Sequence, residues 1–424
     1  MPASRRLTLA LLSLGLMAPL AGRAAPKSPA ARWQQWPLRT LPPGPDAGLA
    51  EDDFADLAPL GQGLAGVRVL ALGEQTHGAH EEFAYKLRLL RYLHEQQGFD
   101  LLLLESGFLD TGLLAQDLAA GRGLVEQAPG NIFFMYSKSA EGRALLRYLE
   151  QRQRSERPLL LAGIDSQHSG TLSQAHMAPG LAQALADAGR PELAQGPGWA
   201  RVQALLPDLL ALSRQAPQAA EQREFLAHVQ AMQGALLAAS TPATMAPQGP
   251  HWWAQVAMSL EAQARNLWSD GRENPRDNAM GANAIWLMER LYPGRKAVVW
   301  AHTIHVARGL QRSPQHLQAG EVMHRHWGPA YQVLNFSTAA GRYLEFASGQ
   351  AQPVPRPASG SLEAGLAGRP GVRLLRVAAP LPLAQFGWEY QTAAPAGQPE
   401  TGRLGQHWDW TIFLPRVSPV RMVL

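Results

Sequence analysis

The sequence lacks cysteine entirely, although it is 424 residues long. This absence excludes disulfides, thiol nucleophiles, cysteine-ligated zinc and iron–sulfur clusters. The fold must therefore be stabilised by its hydrophobic core, and a chain of this length can bury a large one.

Long apolar runs are also missing. The longest apolar stretch, Leu7 to Gly22, is shorter than the roughly 20 residues of a spanning helix, and it follows Arg5 and Arg6. Gly22-Arg23-Ala24 supplies small residues where signal peptidase cleaves. We therefore predict a signal peptide over residues 1–24, a periplasmic or secreted protein, and no membrane span after signal removal. A buried N-terminal helix is the alternative, which the adjacent arginines and the missing amphipathic period argue against.

An excess of charge of one sign is absent too. The formal net charge is +4, and the predicted signal peptide holds three arginines and no acidic residue, which leaves a mature chain near neutrality. No basic block remains that could follow a phosphate backbone. We therefore predict no nucleic-acid partner.

Four short apolar runs predict the strands of a buried sheet. Strands that are apolar throughout and alternate with helices are typical of a parallel sheet covered on both faces, in an α/β fold. Helical spacing separates the runs, most clearly from Ala79 to Gln97 and from Glu141 to Arg152. The predicted strands are Gly66–Gly73, Asp100–Glu105, Pro158–Ile164 and Lys296–Ala301.

The rest of the chain is organised around this core. Residues 25–65 are rich in Pro, Gly and Ala and predict an irregular surface arm with short helices, ahead of a main domain over 66–424. Residues from about 170 to 270 have helical spacing and predict an inserted helical subdomain, which could cap a pocket. The patterns at the end of the chain predict strands at Tyr331–Phe336 and Arg342–Phe346, a loop at Gln350–Pro357, and a closing apolar stretch at Trp410–Leu414.

Ionisable side chains follow each of the four predicted strands. Ligands of open α/β sheets bind outside the carboxyl ends of the strands, so these residues are expected to share one cleft. They are Glu74 and His77 after the first strand, Glu105 at the end of the second, Asp165 after the third, and His302 and His305 after the fourth.

Glu74 and His77 lie three residues apart in a predicted strand-to-helix turn. A histidine there can take a proton from water, and a nearby carboxylate can orient its ring. Gly73 and Gly78 would let the backbone turn tightly and approach a substrate. The alternative is that Thr76 caps the helix and that both ionisable side chains are ordinary surface groups.

His302 and His305 are also three residues apart. They could bind a metal together with Glu74 or Glu105, because imidazole and carboxylate are common zinc ligands. They could equally bind substrate or position a water without a metal, or form a structural pair at the strand end. The spacing favours the metal-free interpretations.

Four further residues are candidates for substrate binding. Asn274-Pro275 predicts a helix start, and the helix would place Arg276 and Asn283 on one face. Arg276 could hold a substrate carbonyl or orient Glu105, or it could form a surface ion pair. Asn283 could pin a loop or a histidine. Asp165 could be a site carboxylate or a loop cap, and Lys86, like Arg88 and Arg91, has surface solvation as its default interpretation.

These motifs together resemble the erythromycin esterase family. The resemblance covers roughly residues 66–340 and is strongest in its first and last blocks. The blocks are Gly73-Glu74-Gln75-Thr76-His77-Gly78 with Lys86, Gly98-Phe99 ahead of Glu105, Gly163-Ile164-Asp165, Arg276-Asp277 with Met280 and Asn283, and Trp300-Ala301-His302-Thr303-Ile304-His305.

The resemblance implies a three-layer α/β/α fold shared with ChaN-like and TraB-like proteins. It implies hydrolysis of a macrolide lactone by activated water without a covalent acyl-enzyme or a metal, with no cofactor and a small-molecule ester or lactone as substrate. His77 would be the general base, and Glu74, Glu105, His302 and His305 would complete the site. Thr303 departs from the Asn usual in the family, and Lys86 stands where some members have Arg.

Two alternatives stay open on the same fold. One is a metal-dependent hydrolase or peptidase that uses the same carboxylates and histidines as ligands. The other is a ChaN-like protein that binds iron or haem.

Overall fold

An eight-stranded sheet forms the centre of the computed structural model, which describes residues 34–242, 245–269, 273–313, 315–377 and 402–423. The predicted signal peptide lies outside the described residues. The strands of this sheet are β1 (Gln34–Leu38), β2 (Val69–Glu74), β3 (Leu101–Gly107), β4 (Leu160–Asp165), β5 (Ala297–His302), β8 (Tyr331–Thr338), β11 (Val372–Arg376) and β12 (Trp410–Leu414). Two small antiparallel ribbons are formed by β6 (Gln311–Ser313) with β7 (His316–Leu317) and by β9 (Arg342–Glu345) with β10 (Gln350–Pro353).

The strand order is β1-β11-β12-β8-β2-β5-β3-β4. The six strands from β12 to β4 are parallel, and β11 is antiparallel to both of its neighbours. The predicted α/β class with a mostly parallel central sheet is therefore confirmed, and all four predicted core strands are present.

Alternation along the buried strands divides the core into two layers. On β2, Val69 and Ala71 face one hydrophobic cluster, whereas Leu70 and Leu72 face the other. All four side chains are fully buried, and burying a leucine side chain contributes about 1.5–3 kcal/mol to stability. Because both faces need a helical cover, the sheet sits in the middle of three layers.

Helices cover both faces of the sheet. The long helix after β2 begins at His80 and ends at Gln97, where Gly98 adopts the left-handed conformation (φ 75°) that commonly closes a helix. The helices are α1 (Ala58–Gly63), α2 (His80–Gln97), α3 (Phe108–Ala119), α4 (Leu124–Gln127), α5 (Phe134–Lys138), α6 (Ala140–Gln153), α7 (Thr171–Asp187), α8 (Gly196–Leu210), α9 (Ala219–Ala238), α10 (Pro250–Trp268), α11 (Pro275–Trp286), α12 (Thr303–Val306), α13 (Ala319–Trp327) and α14 (Leu362–Leu366).

Helices α7 to α10 correspond to the predicted helical insertion between β4 and β5. Their buried side chains, such as Phe225 and Trp253, belong to the same hydrophobic cluster as Val69 and Ala71 of the sheet. The insertion therefore shares the core of the main domain. None of the helices in the described ranges combines the length and the apolarity that a membrane crossing requires.

Three segments differ from the sequence-based expectation. Residues 34–38 of the predicted irregular arm form edge strand β1, which tolerates Pro37 because an edge strand leaves some N–H positions unpaired. Residues 350–353 of the predicted loop pair with β9. Strand β11 was not predicted, because its five residues, Val-Arg-Leu-Leu-Arg, show no clear alternation and follow a stretch rich in glycine and proline.

Arg88 is a buried ion-pair partner, so its predicted surface position is wrong. Its guanidinium, 1% exposed, donates to the carboxylates of Asp52 and Asp56 in the N-terminal segment. Burial alone would lower the pKa of Arg88, but the two carboxylates raise it overall. This pairing ties the segment before β2 to helix α2.

We expect Arg88→Met to lower the free energy of unfolding by about 3 kcal/mol, because removing one partner leaves buried carboxylate charge uncompensated. Urea denaturation followed by circular dichroism measures the change. The control is Arg122→Met, since Arg122 pairs with Asp117 while 61% exposed, and a surface pair contributes at most about 1 kcal/mol. Equal losses in the two variants would contradict a stabilising role for the buried pair.

Candidate active site

The ionisable residues predicted at the strand ends do line or underlie one cleft. Glu74 and His302 are direct partners on neighbouring strands β2 and β5. Glu105 lies where the β3–β4 pairing shifts register, and such a bulge can re-aim a side chain. The cleft has a volume of about 650 Å³ and includes His77, Glu105, Asp165, Arg276, His302 and His305 in its lining.

Glu74 is a fully buried carboxylate with three donors. Its Oε1 accepts from His77 Nδ1 at 2.7 Å and from the Tyr136 hydroxyl at 2.8 Å, and Lys86 Nζ donates to Oε2. Burial alone would raise the pKa of Glu74, but the Lys86 charge and the His77 hydrogen bond lower it to about 2. Glu74 is therefore ionised at neutral pH.

His77 lies at the wall of the cleft above Glu74 and is 8% exposed. Because Nδ1 faces the ionised carboxylate, it carries the proton, which leaves the Nε2 lone pair as the basic position of the neutral ring. The rings of Phe133, Phe346 and His302 pack around the imidazole at 4.9, 5.4 and 5.3 Å between centroids. These contacts fix the orientation of the ring.

Glu105 connects the remaining charged groups. Its Oε2 accepts from the His302 backbone N–H at 2.7 Å, and its Oε1 lies 3.2 Å from His305 Nε2 and 3.5 Å from Arg276 Nη2. Burial acts to raise the pKa of Glu105, but the positive charge and hydrogen bond of His305 bring it well below its ordinary value.

His305 lies between two carboxylates. Its Nδ1 contacts Asp277, and its Nε2 contacts Glu105. Burial opposes the charged form, yet the two carboxylates raise the pKa of His305 to about 9. His305 is therefore an imidazolium at neutral pH.

His302 has both ring nitrogens engaged. Nδ1 accepts from the Ile304 N–H at 3.1 Å, so Nε2 carries the proton and donates to the Gln75 carbonyl oxygen at 3.0 Å. The ring is thereby held in one tautomer and ties the loop after β5 to the His77 turn. Within the described ranges, no group of three or more His, Asp and Glu side chains is arranged to hold a metal ion.

Arg276 pairs with Asp165 rather than with the surface residues considered as alternatives. Its Nε and Nη2 donate to the two carboxylate oxygens of Asp165 at 3.0 and 2.5 Å. The opposing charges of Asp165 and Glu105 raise the pKa of Arg276 against the effect of burial. The guanidinium remains 25% exposed toward the cleft.

Two residues predicted to bind substrate lie outside the cleft. Lys86 is neither solvated nor in reach of a ligand: it is fully buried behind Glu74, with its ammonium 4.4 Å from the centre of the Trp300 ring. Asn283 is also fully buried, and its amide donates to the Ile164 carbonyl oxygen and to Ser259. The cleft position predicted for both residues is wrong, because the side of a helix that faces a site depends on the elements that pack against the helix. The spacing of residues along the helix does not specify this.

Gly73 and Gly78 allow close packing against protein rather than against a substrate. A Cβ on Gly78 would lie 1.8 Å from the Leu344 carbonyl oxygen, and one on Gly73 would lie 2.7 Å from Thr303 Oγ1. Thr303, the departure from the family pattern, is itself buried and donates to the Asn335 side chain, which also accepts from Gln75. These contacts support the His77 turn from behind.

Sequence reasoning missed Tyr136, whose hydroxyl contacts Glu74, and the role of Asp277 at His305. Tyr136 lies on the short helix α5, far from any strand end, so no positional rule selected it. Burial and the nearby carboxylates raise the pKa of Tyr136 well above its ordinary value, so its hydroxyl is a permanent donor. Asp277 follows Arg276 directly, and only the family resemblance drew attention to that pair.

Residues 415–423 form a strap across the back of the His77 turn. Val420 N–H donates to the Gly78 carbonyl oxygen, His80 N–H donates to the Ser418 carbonyl oxygen, and Val423 N–H donates to the Lys138 carbonyl oxygen. The strap thus joins the turn that carries His77 to the helix that carries Tyr136.

A family model described as erythromycin esterase matches residues 94–405, a range that begins after the His77 turn and includes the other predicted strand-end residues. The Bacillus subtilis (strain 168) protein named "Putative hydrolase YbfO" is 34% identical over 163 residues, or 38% of this chain and 35% of that protein. "Erythromycin esterase type II" of Escherichia coli is 27% identical over 120 residues, 28% of each chain. The matched segments span about a third of the length of these curated relatives.

Solved structures share the fold over almost the whole chain. A Bacillus cereus protein superposes with a TM-score of 0.70 at 19% identity, covering 92% of this chain and 97% of its own. A mutant of the erythromycin esterase EreC in its open conformation superposes with a TM-score of 0.61 at 16% identity, covering 91% and 98%. The family model extends over well over half of the sequence, and the protein therefore belongs to the erythromycin esterase family.

Proposed function

We propose that this protein is a hydrolase that cleaves a small-molecule ester or lactone with a water activated by His77. The observation that carries the proposal is the Glu74–His77 contact: an ionised, buried carboxylate holds Nδ1–H, which makes Nε2 the base at the wall of a cleft. A cleft of about 650 Å³ lies in the usual range for small-molecule sites.

In the proposed reaction, His77 Nε2 takes a proton from water as the water oxygen adds to the ester carbonyl carbon. The tetrahedral intermediate then collapses with cleavage of the bond to the leaving oxygen. The proton held by His77 passes to that oxygen, so that one water is consumed and an acid and an alcohol are formed. Glu74 stabilises the imidazolium formed in between.

Positive charge next to the cleft would stabilise the negative charge that develops on the carbonyl oxygen. Arg276 and the His305 imidazolium are the cationic groups that line the cleft next to Glu105. Glu105 has a backbone donor and two cationic neighbours, and in this proposal it would orient a water or a substrate hydroxyl. A macrolide lactone is the substrate that the resemblance to the family suggests.

We further propose that the mature protein acts in the periplasm or outside the cell, on the basis of the Arg5-Arg6 pair and the apolar stretch that follows it. Intact-mass analysis of protein recovered from the periplasmic fraction is expected to find a chain that lacks about the first 24 residues. A full-length chain retained in the cytoplasm would contradict this location.

His77→Ala is expected to reduce kcat by about 10²–10⁴-fold, because it removes the general base. A mass-spectrometric hydrolysis screen over macrolides, simpler lactones and linear esters measures the activity. Thermal stability is expected to stay nearly unchanged, because Glu74 keeps Lys86 and Tyr136 as partners. The control is His326→Ala, an imidazole 41% exposed outside the cleft.

Two further measurements test the other two functions considered for this fold. Turnover that disappears with chelator and returns with added zinc or manganese would replace the water-activation proposal with a metal-dependent one. A haem absorbance band on titration, without hydrolysis of any ester, would indicate a binding protein instead.

The pH dependence of kcat/KM is expected to show a falling limb near pH 9. At that pH the His305 imidazolium loses one of its two ring protons and becomes neutral. His305 carries positive charge below its raised pKa, so this contribution is present at neutral pH and lost as the pH rises. Asp277→Asn removes a charge that raises this pKa and should move the limb to lower pH. A limb that stays in place in the variant would show that His305 does not supply the charge.

A further inference from the structure

Exposed large apolar side chains are concentrated at the mouth of the cleft. In the described part of the chain, five large hydrophobic side chains are exposed: Phe134, Leu212, Leu237, Phe346 and Val423. Three of them, Phe134, Leu212 and Phe346, line the cleft that contains His77. Single exposed apolar residues are ordinary, but a group of them around one opening marks a binding surface.

These three side chains, which we call the apolar collar, come from separate parts of the fold. Phe134 begins α5, Leu212 follows α8 in the helical insertion, and Phe346 directly follows β9. Their exposed fractions are 36%, 36% and 39%. Because no single element requires all three positions, their convergence on one opening is a property of the site.

Leu212 also occupies an unfavourable backbone conformation. Its φ is 56°, in the left-handed region where glycine or asparagine would be less strained. A leucine there costs about 1 kcal/mol or more and exposes apolar surface as well. The left-handed conformation closes α8, because the Leu212 and Ser213 N–H groups donate to the Leu209 and Asp208 carbonyl oxygens. Closure of the helix accounts for the backbone conformation but not for an exposed leucine at this position, whereas contact with a ligand would account for the side chain.

The collar is continuous with the proposed base. The Phe346 ring lies 5.4 Å from the His77 ring, and Phe133 lies 6.0 Å from Phe346 and 5.0 Å from Phe134. An apolar wall therefore runs from His77 to the mouth of the cleft. A substrate with its ester at His77 would place a neighbouring group against this wall.

The carboxylates that line the cleft already have protein partners. Asp110 accepts from Ser173 and from the Gly170 N–H, and Asp165 is held by Arg276. Glu105 accepts from the His302 N–H and contacts His305. The collar, by contrast, presents apolar surface that protein leaves partly uncovered.

We infer that Phe134, Leu212 and Phe346 make this site selective for esters that carry an extended apolar group. This inference rests on the proposed hydrolase function, since it places the ester at His77. Selection comes from burying the apolar group against the collar, so the gain grows with its length. Short polar esters are poor substrates on this basis.

The test is a series of p-nitrophenyl esters from acetate to octanoate. For the wild type, kcat/KM is expected to rise about two- to fourfold per methylene over part of the series, because each buried methylene adds transition-state binding. Leu212→Ala and Phe134→Ala should lower kcat/KM for octanoate about tenfold and leave acetate within about twofold.

The matched control is Leu237→Ala. Leu237 is a leucine of the same helical insertion, is 42% exposed, and is not part of the cleft lining. Its replacement should leave the chain-length dependence unchanged. A flat wild-type series, or an equal slope in Leu237→Ala and Leu212→Ala, would overturn the inference.

A binding measurement keeps this inference separate from the proposed reaction. Calorimetric titration of His77→Ala with N-(4-nitrophenyl)alkanamides of the same chain lengths reports contact with the collar without turnover. Affinity should rise with chain length and lose this dependence when Leu212→Ala is added. If affinity behaves in this way but the wild type cleaves no ester, the collar stands and the proposed hydrolysis fails. An affinity that does not depend on chain length would overturn the proposed contact with the collar, whether or not the wild type cleaves esters.

Discussion

The buried carboxylate of Glu74 is the group around which the rest of the site is arranged. Moving an ion of this kind out of water costs several kcal/mol, and it is tolerated only where charge and hydrogen bonds replace the lost hydration. Lys86 supplies the charge from the helix after β2, and His77 and Tyr136 supply donors from the turn and from α5. Three segments of the chain therefore meet at Glu74. The strap of residues 415–423 bonds to all three and belongs to the same constraint.

Two histidines of one cleft differ in the carboxylates that they contact. His77 contacts one ionised carboxylate, which itself is already neutralised by Lys86. His305 lies between Asp277 and Glu105, which together favour its charged form. His305 is thus suited to supply positive charge, whereas the contact with Glu74 fixes the proton of His77 on Nδ1 and leaves Nε2 as the proton acceptor of the proposed reaction.

Strand-end reasoning predicted which residues come together because the strands of a parallel sheet end at a common edge. β2, β3, β4 and β5 end at one edge, so the residues at or just after their ends, Glu74, Glu105, Asp165 and His302, converge whatever the loops do. Lys86 and Asn283 were misplaced because they lie on helices, whose facing depends on packing against other elements. Tyr136 and strand β1 were missed because each acquires its role only through a distant partner. The composition and periodicity of the sequence do not indicate such contacts.

The proposed catalytic groups and the proposed selectivity surface lie on different parts of the fold. The charged groups extend from buried strand ends, where a rigid core holds distances to within hydrogen-bonding range. The apolar collar comes from a short helix, a loop of the helical insertion and a hairpin, and its side chains remain partly exposed. Of the three collar residues, Leu212 lies on an element that contributes no group to the contacts around Glu74. In the proposed function, a change at Leu212 would therefore alter the surface that meets the substrate and leave the proposed water-activating centre in place.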